Sequence, residues 1–205
     1  YMGPWGMYFM GVLALGGAWT RITGNWGWQM GTWLVATPLA LFVCLWQLKK
    51  FHGAPTFFWG LSLVPPMVSA NSGAQLVASG VLDGRWAAAV WLVAVAGFLL
   101  SMVTALPVFA RVYLELIRGR LYLPPGLTGT AWIPLGIVGQ STAVAILLSH
   151  NPLGAGVSTA WGAGGIAVGY VMFALGVPAA LYAAWRFWRD ILAWPGYYPG
   201  WWGSV

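Results

Sequence analysis

Acidic side chains are all but missing from this sequence: Asp83, Glu115 and Asp190 are the only three in 205 residues. They are far apart and lie in or beside loops, so no pair of carboxylates is set up for acid–base catalysis. Histidine is nearly as scarce. His52 falls in a loop and His150 at the far end of an apolar span, so they sit on opposite membrane faces and cannot share one metal ion or haem. The single cysteine, Cys44, excludes an internal disulfide; lying in an apolar run, it reads as a small buried apolar residue. No metal-ligand spacing exists. An enzyme is therefore not expected, and neither is a metal or a cofactor.

Charge of either sign is also sparse. Charged residues make up 6% of the chain, against about 25% in a soluble domain. In their place stand a 60% hydrophobic composition and sixteen tryptophans. The mean hydropathy is +0.77. This is the composition of a membrane protein, and tryptophan concentrates at membrane interfaces.

Six apolar runs approach or exceed the ~20 residues that cross a bilayer: 2–20, 28–47, 56–79, 87–110, 131–149 and 161–185. A seventh begins near Trp201. Backbone groups cannot be left bare in lipid, so these runs are helices. The loops after the first, third and fifth carry only Arg21 and Arg85. Those after the second, fourth and sixth carry Lys49, Lys50, Arg111, Arg118, Arg120, Arg186 and Arg189. The positive-inside rule places the second set, loops 48–55, 111–130 and 186–196, in the cytoplasm. The net charge of +6 is then a topology signal and calls for no nucleic-acid partner. Arg111, Glu115 and Arg118 are spaced to pair on a cytoplasmic helix extension.

The odd-numbered spans resemble one another. Each has a proline in its first half or just before it with a tryptophan close by: Pro4 and Trp5, Pro65 and Pro66 after Trp59, Pro134 after Trp132, Pro199 before Trp201. That recurrence suggests a repeat of helical hairpins. Helical projection groups small or uncharged polar residues into narrow stripes: Gly3, Gly6, Met10, Ala14 and Gly17 on the first span; Ser62, Pro66, Ser69, Ser72 and Gly73 on the third; Trp132, Gly136, Gly139, Gln140 and Ala143 on the fifth. Such stripes serve either close helix packing or a shared pore surface. Gly165 and Gly169, on the sixth span, read as packing. The prolines favour a pore for the odd spans, because each starts a half-helix whose first amides suit an anion. Asn71 and Gln75 project to another side of the third span and are expected to make interhelical hydrogen bonds.

The stretches "TFFWGLSLVPPMVSANSGAQL" (56–76), "TAWIPLGIVGQSTAVAILL" (130–148) and the closing "YPGWWGSV" resemble the tellurite-resistance/dicarboxylate transporter family. That family includes plant slow anion channels and fungal malate and sulfite transporters. Pro65–Ala74 matches its "PPMVxAxxGA" text. Trp132, Ile133, Leu135, Gly136, Gly139, Gln140 and Ser141 match "WIxLGPLGQS", with Ile137 and Val138 replacing the Pro-Leu. The resemblance implies five helical hairpins, odd helices lining a central pore and even helices outside, in a homotrimer with one pore per subunit. It implies that this chain is a single transmembrane domain truncated at both ends, holding the third to eighth helices and the start of the ninth. The family's gating phenylalanine belongs to the ninth, so no residue here takes that role.

The function expected is passage of small anions or dicarboxylates (chloride, nitrate, sulfite, malate, a tellurite-type oxyanion) across the cell membrane. An uncharged polar lining holds an anion weakly enough to release it. The pore-lining candidates are Ser62, Pro66, Ser69, Ser72, Gly73, Gly136, Gly139 and Gln140. A proton-coupled carrier is the alternative, although such carriers place a titratable group within the membrane and none lies in these spans away from their ends. A structural membrane protein without transport is the third possibility.

Overall fold

The structure, a computed structural model, describes residues 5–149 and 159–193. His150, the following loop with Gly154, and the closing Trp201–Gly203 stretch lie outside the described residues. Within them the protein is all-helical. The helices are α1 (Trp5–Thr23), α2 (Gly27–Leu48), α3 (Gly60–Leu63), α4 (Pro65–Ala78), α5 (Gly84–Ile117), α6 (Ile133–Ser149) and α7 (Thr159–Ala193). Short 3-10 segments, Phe57–Trp59 and Pro125–Trp132, lead into α3 and α6.

Four stretches are long and apolar enough to cross a bilayer by length and composition: Gly27–Leu48, Gly84–Ile117, Gly126–Ser149 and Gly162–Ala193. The first and third of the six expected spans, α1 and the broken α3–α4, fall outside that set. The third shows why. It is broken at Pro65 and Pro66 into α3 of 4 residues and α4 of 14, each too short to cross by itself.

The helices pack as three antiparallel hairpins, α1 with α2, α4 with α5, and α6 with α7. The first member of each hairpin forms an inner row in which α4 touches both α1 and α6. The second members lie outside: α2 leans on both α1 and α4, and α5 on both α4 and α6. Outer helices expose large apolar side chains such as Leu34, Val35, Phe42, Val103, Phe173 and Leu181, as a lipid-facing row must. Tight turns close the first two hairpins at one end, where Gly24 and Gly80 adopt φ of 70° and 72°, a left-handed conformation that glycine takes without penalty.

The opposite end gathers the basic residues. Helices α5 and α7, of 34 and 35 residues, are about 50 Å long at 1.5 Å per residue, well beyond the ~30 Å hydrocarbon core. The expected extension of α5 is present, and Arg118 pairs with Glu115 at 3.7 Å. Interfacial aromatics mark this end: Lys50 Nζ lies 3.4 Å from the centre of a Trp46 ring, and Phe51 stacks on Trp59 at 4.4 Å. Asp190 stands in the last turn of α7, where it is buried and accepts a hydrogen bond from Thr128 Oγ1. One turn earlier, Arg186 donates to the Leu123 carbonyl at 2.7 Å. The two contacts tie the end of α7 to the segment that precedes α6.

Glycines set the closest approaches. A Cβ on Gly165 would stand 2.7 Å from the Ala145 carbonyl oxygen, and one on Gly169 would stand 3.2 Å from Ile146. These are packing contacts between α7 and α6, as the sequence suggested.

Candidate functional site

The inner row is interrupted between α3 and α4. Pro65 and Pro66 have no N–H, so the carbonyls of Leu61 and Ser62 lose their partners four residues on. The Met67 amide shifts to the Val64 carbonyl at 2.9 Å, where the Val68 amide also donates at 3.2 Å. This shift frees the Leu63 carbonyl, and Ser101 of α5 takes it at 2.7 Å. Neighbouring backbones close in on the break: Gly6 of α1 lies against the Leu61 carbonyl and Gly97 of α5 against that of Pro66.

The half-helix amides expected to greet an anion are therefore not on offer at this break. The first two positions of α4 are prolines, and the next two amides are both committed to Val64. The path of the chain stays helical through Val64, with φ −76° and ψ −34°, so the break is a kink rather than a fresh helix end.

The serine stripe of the third span is also placed differently from the expectation. Ser62, Ser69 and Ser72 are buried against α2. Ser62 Oγ donates to Gln47 Oε1. Ser69 Oγ donates to Thr37 Oγ1 at 2.6 Å, and its carbonyl accepts from Trp33 Nε1 at 3.0 Å. Gln29 Nε2 donates to the Ser72 carbonyl at 3.0 Å and lies 3.3 Å from its hydroxyl oxygen. Gly73 lies against the Trp33 indole, and the Pro66 carbonyl against Gly97. This face of α3–α4 is thus a polar zipper to α2. The sequence held a signal for it that the serines alone did not give: Gln29, Trp33, Thr37 and Gln47 fall on one face of α2 in antiparallel register with Ser72, Ser69 and Ser62.

The half-open side of the inner row carries other residues. On α3–α4 these are Leu61, Val68, Asn71 and Gln75, all partly exposed. On α6 they are Gly136, Gly139 and Gln140. The two glycines are exposed, and a Cβ on either would meet nothing within 4 Å. Asn71, expected to bond between helices, donates from Nδ2 to Gln140 Oε1 across α4 and α6. Gln75 Nε2 donates to Asn71 Oδ1 at 3.1 Å. Arg21, at the end of α1, donates to Gln75 Oε1 at 3.4 Å. Arg21 entered the sequence reading only as a loop charge; its place in this line comes from the parallel packing of α1 on α4.

Among the described residues no group of three or more His, Cys, Asp or Glu side chains comes together as a metal site would require. Helical hairpins in two rows, with a line of uncharged amides along the inner row, define a multi-pass helical membrane protein. Residues 2–205 match the family described as voltage-dependent anion channel (SLAC1), and the chain belongs to that family. This is the family to which the sequence motifs pointed, and its members are channels and transporters rather than enzymes. No curated protein and no solved structure matches the chain significantly.

Proposed function

We propose that the half-open face of α4 and α6 is the wall of a permeation path for small anions, with Arg21 at one end. The observation that carries this reading is the line Arg21–Gln75–Asn71–Gln140. It is the polar feature of the inner row left beside open space, whereas the serines are satisfied against α2. Gly136 and Gly139 leave room beside it. Side-chain amides donate hydrogen bonds without a fixed charge, so an anion is held and also released. The basic end, with the segments 48–55, 111–130 and 186–196 that the positive-inside rule assigns to the cytoplasm, concentrates anions at the inner mouth. On this reading the lining candidates Gly136, Gly139 and Gln140 keep their role. Asn71 and Gln75 join them, and Ser62, Pro66, Ser69, Ser72 and Gly73 hold the wall to its outer helices. The chain is a single transmembrane domain of a homotrimer in the cell membrane, with one path per subunit. Its substrates are of the chloride, nitrate, sulfite, malate or tellurite type.

The test is anion flux through the purified full-length protein in liposomes, with voltage and pH gradient set independently. Chloride or nitrate flux that follows the anion gradient alone is the expected result. Accumulation driven by a pH gradient would assign a proton-coupled carrier instead. No flux from correctly assembled protein would leave a structural role.

A further inference from the structure

We infer that Arg21 fixes the direction of the amide line, so that Gln140 presents its N–H₂ group, and not its oxygen, to the permeation path as an anion-selecting donor. This rests on the reading of that face as a path for anions.

The argument starts from what each group can do. A guanidinium has only N–H donors and no acceptor. Arg21 Nη2 therefore faces the oxygen of Gln75, Oε1, at 3.4 Å. That leaves Gln75 Nε2 to donate onward, which it does to Asn71 Oδ1 at 3.1 Å. Asn71 then has only its Nδ2 to offer, and this donates to Gln140 Oε1. The last member has its oxygen occupied and its Nε2 left over. Among the described residues no acceptor meets Gln140 Nε2, and the neighbouring Gly136 and Gly139 open onto space. Each amide could be turned over by itself, but the line turns over only as a unit, because two facing oxygens or two facing N–H₂ groups repel. The donor-only Arg21 at its head selects one of the two senses. Bonds in such a line also polarise one another in the same sense, which makes the terminal N–H₂ a better donor to an anion and a poorer neighbour for a cation. Arg21 is thus a positioning residue that acts through Gln140, in addition to any attraction its charge exerts at the mouth.

The two effects of Arg21 are separable. A mouth charge is screened at about 1 M salt, where the Debye length is about 3 Å; the sense of a hydrogen-bonded line is not. In the full-length protein, chloride flux and chloride-to-potassium selectivity are measured in about 1 M salt for Arg21→Lys, Arg21→Met and Arg21→Glu. Lysine is also donor-only and retains wild-type selectivity. Glutamate accepts only, so it reverses the line and presents the Gln140 oxygen. Chloride flux falls at least about tenfold, as expected for losing one hydrogen bond to a charged group. Methionine fixes neither sense and falls between. Gln140→Met removes the donor, and in that background Arg21→Glu has no further effect.

A second readout needs no flux: addition of chloride shifts the side-chain N–H₂ resonances of Gln140 in the wild type and not in Arg21→Glu. Three results overturn the inference: a loss in Arg21→Glu no greater than in Arg21→Met, additive effects of Arg21→Glu and Gln140→Met, or an unchanged Gln140 shift in Arg21→Glu. Wild-type protein that passes no anion and shows no shift would instead overturn the underlying reading of the face.

Discussion

Ser101 of α5 donates its hydroxyl hydrogen to the carbonyl of Leu63 at 2.7 Å, across the break that Pro65 and Pro66 put in the third span. Ser101 is fully buried. The prolines create an unsatisfied acceptor and an outer helix supplies its donor, so kink and hairpin partner are coupled. Ser101→Ala is expected to lower stability by about 1–2 kcal/mol, the cost of a buried carbonyl left without its partner. Thermal unfolding of the purified protein checks this. Selectivity should be unchanged; altered selectivity at unchanged stability would remove Ser101 from this role.

Close approach at the break gives a contrast between glycines. A Cβ on Gly97 would lie 2.8 Å from the Pro66 carbonyl oxygen, and one on Gly6 would lie 2.1 Å from that of Leu61. Gly97→Val and Gly6→Val should therefore cut the yield of assembled protein, because backbone on both sides has to move. A Cβ on Gly139 meets nothing within 4 Å, so Gly139→Leu should assemble normally yet reduce chloride flux. Size-exclusion profiles beside liposome flux separate the two outcomes.

Ser72→Leu tests the reassignment of the serine stripe. A pore-lining serine replaced by leucine would dewet the path and block it while leaving assembly intact. The observed placement predicts the reverse: Gln29 loses the Ser72 hydroxyl, leucine overpacks the α2 contact, and expression falls. Flux per assembled protein should stay within about twofold, since a packing defect of 1–3 kcal/mol acts on folding rather than on conduction. Full expression with abolished flux would return Ser72 to the path.

Topology is open to labelling. With Cys44 replaced, a cysteine at Arg118 should react with a membrane-impermeant reagent only from the cytoplasm, and one at Asp83 only from outside. The two positions stand at opposite ends of α5, the 34-residue helix Gly84–Ile117. Labelling of both from one side would contradict the assignment of the basic end to the cytoplasm.

The membrane class, the all-helical fold, the hairpin pairing and the family were legible in the sequence, because each depends on quantities that add along the chain; the third apolar run, read as one span, is two helices, α3 and α4. Apolar runs, the spacing of prolines and the distribution of lysine and arginine need no partner to be read. The motif "PPMVSANSGAQ" marked the kink, and Gly136, Gly139 and Gln140 fell on one face by helical periodicity alone.

Which face of the third span meets which neighbour could not be read that way. Ser62, Ser69 and Ser72 share a stripe in projection, but a stripe of small hydroxyls suits a wet surface and a tight helix contact equally well. The choice depended on α2 offering Gln29, Thr37 and Gln47 in antiparallel register, a match between residues 15 to 43 positions apart. The same holds for Arg21, 54 residues from Gln75. The sequence by itself determined that uncharged polar groups would cross an apolar medium. The tertiary structure decided which of them are consumed between helices and which remain on the half-open side, because a buried hydrogen-bonding group must find its partner wherever the packing brings one within reach.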